Sequence, residues 1–352
     1  MTKIVATATQ TPRYKYTSDE IIEAANLAWL NDLDERTARI ARKIFKGAEI
    51  DSRCAVVPLE KVFGDASFEE KNNIYKESMI ELGTKVLEKA LAKANLLATD
   101  IDYLITTSCT GFMIPSVDAF IINQLKMKQN IMRLPVTEMG CAGGTSGLIY
   151  ADQYLRANPG KRVALISVET PSITFQKNDL SMENLVSTAI FADGASCVIL
   201  EGADSKKSGL NITDTNMYHF PNATHLMGYN LTNTGLKIVL DKDVPDQIES
   251  HFPNILHPFL ERNEMKAEDV TQYLMHPGGK KIINMVEKTL ATFGKDVTDS
   301  KAILKEYGNL SSSTILYIID RYLQNKGRSG DTAFALAFGP GFVAQSILFK
   351  WD

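Results

Sequence analysis

Three residues, each between a strand-like and a helix-like segment, could together do thiol chemistry: Cys141, His276 and Asn309. Leu134-Pro-Val-Thr-Glu-Met-Gly-Cys141-Ala-Gly-Gly-Thr-Ser-Gly runs from an extended segment through a Gly-Cys junction into a helix of small residues. A thiol at a helix start meets unpaired N–H groups and the positive end of the dipole, which favours thiolate. Gly140, Ala142, Gly143 and Gly144 carry almost no side chain, so a bulky thioester has room to reach the sulfur. Taken alone, such a cysteine reads equally as a small buried hydrophobe. Tyr273-Leu-Met-His276-Pro-Gly-Gly-Lys280 is an apolar strand ending in His, where open α/β sheets place working side chains. Glu306-Tyr-Gly-Asn309-Leu-Ser-Ser-Ser-Thr314 opens another helix 33 residues after His276, and by itself Asn309 reads as its N-cap. As a set they suit a nucleophilic thiol, an imidazole that stabilises its thiolate, and an amide that binds a developing oxyanion.

The elements that must position these groups alternate along the chain. Helical apolar spacing runs over Asp19–Leu30, Asn73–Asn95 and Val117–Leu125. Short buried strands are expected at 103–107, 162–168, 196–200, 274–276 and 332–338, and helices at about 280–293 and 311–325. This alternation predicts mostly parallel sheets covered by helices. The polar run Glu201-Gly-Ala-Asp-Ser-Lys-Lys-Ser-Gly209 is the best internal boundary.

At 352 residues the chain exceeds one ordinary core and suggests two domains or two fused halves. A net charge of −4 makes no polyanion-binding field, so nucleic acid is not an expected partner. Four scattered cysteines form neither a disulfide scaffold nor a metal-binding pair, and the five histidines have no ligand spacing. The N-terminus lacks a signal-peptide hydrophobic region, and no apolar run approaches the roughly 18 residues of a membrane span, so a cytoplasmic enzyme is expected.

Six motifs occur in order: Gly-Cys141-Ala-Gly-Gly, Ile-Phe191-Ala-Asp-Gly-Ala, Gly-Leu-Lys-Ile238-Val-Leu-Asp-Lys-Asp-Val-Pro245, His276-Pro-Gly-Gly, Tyr-Gly-Asn309-Leu-Ser-Ser and Phe338-Gly-Pro-Gly341. Through them the chain from about residue 100 onward resembles the type III polyketide synthases of the chalcone synthase family. The resemblance implies an α/β, thiolase-like fold: two similar halves stacked as a five-layered α-β-α-β-α sandwich, 1–205 carrying Cys141 and 206–352 carrying His276 and Asn309. No internal repeat is visible, so the duplication is implied by the family alone.

The implied activity is decarboxylative Claisen condensation of malonyl-CoA onto an acyl-CoA starter held on Cys141, repeated and then closed to a ring. No metal or redox cofactor is implied, since coenzyme A thioesters are substrates. His276 would pair with the thiolate and then, with Asn309, donate to a thioester oxygen. Phe191 matches an aromatic gatekeeper, whereas the second gatekeeper of the plant enzymes is Ile238 here, which widens the passage. Thr110, Thr174, Ser311, Phe338 and Gly339 are the other implied cavity residues. Lys43 and Lys46, with Gly278 and Gly279, are the implied coenzyme A contacts, and Ile114 sits where the family reaches across a homodimer interface. Cys109, in Ser-Cys-Thr-Gly, looks like the bacterial enzymes that make alkylpyrones, alkylresorcinols or naphthalenes, and a thiol there makes the cavity more apolar. The expected starter is a medium- or long-chain fatty acyl group giving an alkylpyrone or alkylresorcinol. Two alternatives stay open: a single-round enzyme like ketoacyl-ACP synthase III, and a type III synthase using malonyl-CoA alone.

Overall fold

The segment Arg162–Glu169 buries both of its faces. Val163 and Leu165 point into one apolar cluster, and Ala164, Ile166 and Val168 into another on the opposite side. A strand buried this way needs helices on each side of its sheet, and that requirement organises the molecule.

The computed structural model describes residues 1–325 and 327–352. The first part of the chain supplies strands β1 (Thr2–Gln10), β2 (Tyr14–Thr17), β3 (Ser52–Ala55), β4 (Tyr103–Thr107), β5 (Met132–Val136), β6 (Arg162–Glu169) and β7 (Gly194–Glu201). Its helices are α1 (Ser18–Ala28), α2 (Glu35–Gly47), α3 (Leu59–Val62), α4 (Phe68–Ala94), α5 (Val117–Gln124), α6 (Gly143–Ala157) and α7 (Met182–Ile190). The rest supplies β8 (Leu210–His219), β9 (Met227–Thr232), β10 (Gly235–Leu240), β11 (Gln272–Met275), β12 (Thr332–Gly339) and β13 (Val343–Trp351). With these come α8 (Val244–Glu261), α9 (Lys280–Ala291), α10 (Thr298–Tyr307) and α11 (Ser313–Asn325).

Nine strands form one sheet in the order β11-β12-β13-β8-β1-β7-β6-β4-β5. It divides into two half-sheets that meet only where Thr2, Lys3 and Ile4 of β1 pair with Ile212, Asn211 and Leu210 of β8. Helices α6 and α11 lie between the halves and pack on strands of both. Their core includes Leu148, Leu155, Ile315 and Ile319, with Leu165 from one half-sheet and Ile347 from the other. Helix α4 covers the outer face of the first half-sheet through Met79, Val86 and Ala90, and α8 and α9 contribute Ile248, Phe252, Ile283 and Val286 to the core of the second. These are the five layers. Among the described residues no helix is long and apolar enough to cross a membrane.

The expectation of mostly parallel sheets is not met. Only β4–β5, β4–β6 and β11–β12 run parallel, and the other five pairings of the sheet are antiparallel. Two-sided burial produces continuous apolar strands whatever their direction, so that signal misleads. The β12–β13 link did carry the answer. Pro340-Gly341-Phe342 is far shorter than the dozen or so residues a parallel crossover needs.

Candidate active site

Cys141 lies in a one-turn 3₁₀ segment, Gly140–Ala142, between β5 and α6. The glycines around it serve close packing. Gly140 has φ +49°, and a Cβ there would sit 2.5 Å from Pro340 Cδ; one on Gly339 would sit 2.5 Å from the Met139 carbonyl oxygen. The nucleophile turn and the Gly339-Pro340-Gly341 turn therefore interlock. A Cβ on Gly144 would meet the Ser312 carbonyl oxygen at 2.3 Å, because α6 and the chain entering α11 touch there. Gly143 and Gly144 therefore serve packing, whereas Gly140 also lines the space beside the sulfur.

The path to the sulfur is a cavity of about 1350 Å³, on which Cys141, His276 and Asn309 all open. His276 follows β11, its backbone N–H donating to the Leu336 carbonyl, so the strand ladder aims the ring. The residue is only 3% exposed, and neither ring nitrogen has a hydrogen-bond partner among the described residues. Asn309 Oδ1 accepts from the Ser311 N–H at 2.8 Å, closing an Asx-type turn ahead of α11, and also from Thr314 Oγ1. Its Nδ2 donates to the Gly278 carbonyl oxygen at 2.8 Å, leaving a second N–H for the cavity. Asn309 is thus a turn residue rather than the N-cap expected for this helix, and its amide also reaches the cavity.

Burial dominates the electrostatics. It pushes the Cys141 thiol up to about 12 and the His276 imidazole down to about 4, so each taken alone is neutral near pH 7. This differs from the expected dipole-stabilised thiolate. Moving the proton from sulfur to ring creates both charges together, and each then offsets the other's desolvation. The depressed imidazole has a stability consequence. Because folding excludes its proton, its stabilising contribution is complete above the unfolded value of 6.5 and is lost as pH falls toward 4. The shift corresponds to about 3 kcal/mol. Between pH 7 and pH 4, His276→Gln should lose about that much less unfolding free energy than wild type in denaturant titrations.

The cavity wall also carries Cys109, Phe191, Ile238, Ser311 and Phe338, and its mouth carries Lys43, Gly278 and Gly279. Other expected site residues lie elsewhere. Thr110 is buried behind the wall, donating to Glu169 at 2.9 Å, because successive residues of the extended 108–111 segment face opposite ways. Thr174 sits behind Tyr229, hydrogen-bonded to it, and Gly339 is packed against the nucleophile turn. Lys46 is exposed but off the mouth, where Lys242, Lys280 and Lys281 stand with Lys43. Ile114 is 99% exposed and points away from the cavity's lining, next to a cis bond to Pro115.

Two residues of the site were not foreseen. Glu169, fully buried at the end of β6, accepts from the Cys109 N–H and from Thr110, Ser311 and Ser312 hydroxyls, while burial raises its pKa. Ser311 Oγ in turn lies 3.7 Å from Cys141 Sγ and 3.5 Å from Cys109 Sγ. The signal was a carboxylate closing an apolar strand, which is costly unless donors surround it. Tyr229 pairs with Ile238 across the β9–β10 hairpin and lines the cavity beside it. Among the described residues no group of three His, Cys, Asp or Glu side chains could hold a metal ion.

A buried thiol, a free imidazole and an amide donor on one cavity with a lysine-lined mouth define a thiol-dependent acyl-transfer site. Residues 31–205 match the N-terminal domain of chalcone and stilbene synthases, and residues 211–351 match their C-terminal domain. The chain is 31% identical to 1,3,6,8-tetrahydroxynaphthalene synthase of Streptomyces peucetius subsp. caesius, across 99% of this chain and 93% of that protein. It is 28% identical to phloroglucinol synthase of Pseudomonas fluorescens, across 97% and 96% respectively. The crystal structure of 1,3,6,8-tetrahydroxynaphthalene synthase from Streptomyces coelicolor superposes with a TM-score of 0.92 at 28% identity, covering 99% of both chains. The chain belongs to the chalcone and stilbene synthase family: it is a type III polyketide synthase, an acyltransferase of thiolase-like fold that uses coenzyme A thioesters.

Proposed function

We propose that the protein loads a medium- or long-chain fatty acyl group from coenzyme A onto Cys141, extends it repeatedly with malonyl-CoA, and closes it to an alkylpyrone or alkylresorcinol. The observation that carries this reading is one apolar cavity bearing Cys141, His276 and Asn309, with Ile238 and Cys109 in its wall. His276 takes the Cys141 proton, and the sulfur attacks the starter's thioester carbonyl. The coenzyme A thiolate leaves and takes up that proton. Malonyl-CoA then loses carbon dioxide, and the enolate oxygen accepts hydrogen bonds from His276 and the spare Asn309 N–H. The enolate carbon attacks the acyl thioester and frees Cys141. Decarboxylation itself drives the new carbon–carbon bond, so the chemistry needs no metal or redox group. The lysines at the mouth suit the phosphates of coenzyme A, and the cytoplasm supplies both thioesters.

A second reading, malonyl-CoA as its own starter, is favoured by Tyr229, which adds a phenol to the wall beside Ile238. Weighing the products of an acyl-CoA panel with malonyl-CoA separates the two. On the fatty-acyl reading kcat/KM rises up to about fourfold per added methylene until the tunnel ends. Cys109→Phe shifts the optimum to shorter chains. A wild type that makes product from malonyl-CoA alone and refuses longer starters would overturn the first reading.

The working unit we propose is a homodimer. Strand β5 is at the sheet's edge with its Met132 50% exposed, and Ile114, just ahead of the helix α5 that packs on β5, is 99% exposed. An apolar edge of this kind is an aggregation hazard unless covered, and a second copy would cover it symmetrically. Light scattering after gel filtration should give twice the 39.0 kDa chain mass, with Ile114→Glu shifting it toward the monomer. A wild-type monomer would contradict this.

A further inference from the structure

We propose that Tyr75 backs the floor of the cavity and so sets the longest acyl chain it accepts, an inference that rests on the fatty-acyl reading above. The floor near Cys109 is the loop 108–113, and α4 holds it through three side chains on one face. Phe68, Asn72 and Tyr75 recur at helical spacing. Phe68 meets the Phe112 ring edge-on at 6.5 Å. Asn72 clamps the Phe112 backbone, donating to its carbonyl and accepting from its N–H, both at 2.8 Å.

Tyr75 meets the loop at Gly111. A Cβ on Gly111 would lie 2.3 Å from Tyr75 Cγ and 2.6 and 2.7 Å from the two Cδ atoms, so only glycine lets the ring come this close. Gly111 itself lines the cavity, whereas Tyr75 is buried one backbone thickness behind it. The phenol hydrogen-bonds with Ser108, which fixes the ring across the floor. Behind the ring stands the outer apolar core, with Met79, Leu82, Val117 and Ile173. Deleting the ring would leave an apolar space behind Gly111 into which the floor loop would sink, deepening the tunnel. Such spaces stay dry and take up apolar groups. The ring therefore sets how deep the floor loop lies and so where the tunnel stops.

The test is a starter profile from butyryl- to palmitoyl-CoA for wild type, Tyr75→Ala, Tyr75→Leu and Tyr75→Phe, with malonyl-CoA decarboxylation recorded for each. Tyr75→Ala should move the optimum to a longer chain, and two more buried methylenes would raise kcat/KM for that starter up to about fifteenfold. Tyr75→Leu should move it less, and Tyr75→Phe, which keeps the ring, should keep the wild-type profile. An unchanged optimum in Tyr75→Ala or Tyr75→Leu that still decarboxylates would overturn the proposal, as would the same shift in Tyr75→Phe. Wild type refusing every fatty starter counts against the starter reading instead. The floor is then judged by whether Tyr75→Ala gains a starter that wild type lacks.

Discussion

Cys141→Ala is expected to make no polyketide, a loss of at least about 10⁴-fold, while retaining part of the malonyl-CoA decarboxylation. The two activities separate because they use different atoms. The growing chain needs a covalent carrier, and the sulfur of Cys141 is buried in the turn where α6 begins, facing the cavity. Decarboxylation needs only donors for the enolate oxygen, and those stand on His276 and Asn309, each on its own strand or loop. A cysteine-to-alanine change removes one small atom from a turn held by Gly140 against Pro340 and by Gly144 against Ser312, so that scaffold remains. Coupled measurement of carbon dioxide release and product mass checks both halves.

His276→Ala and Asn309→Ala are expected to differ in kind. Removing one oxyanion donor typically costs about 10²- to 10³-fold, and Asn309→Ala should lose that much decarboxylation. His276→Ala should lose the donor and also the acceptor for the Cys141 proton. Starter loading should therefore fall together with decarboxylation, whereas Asn309→Ala should load nearly as fast as wild type. Single-turnover loading, followed by release of free coenzyme A, makes the distinction. Equal loading rates in the two variants would remove His276 from the proton transfer.

Both predictions concern residues that were legible in the sequence. Cys141, His276 and Asn309 stand at element boundaries marked by Gly, Pro and Ser, and local punctuation of this kind survives folding. Strand direction was not legible, since Val163 to Val168 would be equally apolar in a parallel or an antiparallel sheet. The one-residue misplacements have a common origin: Thr110 and Gly339 neighbour Cys109 and Phe338, and extended backbone turns neighbours to opposite sides. Glu169 escaped notice because its meaning depends on Ser311 and Ser312, more than 140 residues away. Tyr75 and Gly111 likewise become a pair only when α4 is laid against the loop after β4.

Cys141 is the carrier of the acyl chain in this mechanism. Cys109 shares the cavity and the Ser311 hydroxyl, so it is the rival carrier. The direct measurement is intact-mass and peptide-level mass spectrometry of the enzyme mixed with its preferred starter thioester and no extender. One acyl group is expected on the Cys141 peptide, absent in Cys141→Ala and retained in Cys109→Ala. An acyl group on the Cys109 peptide, or polyketide formed with no acyl-enzyme at all, would contradict that role for Cys141.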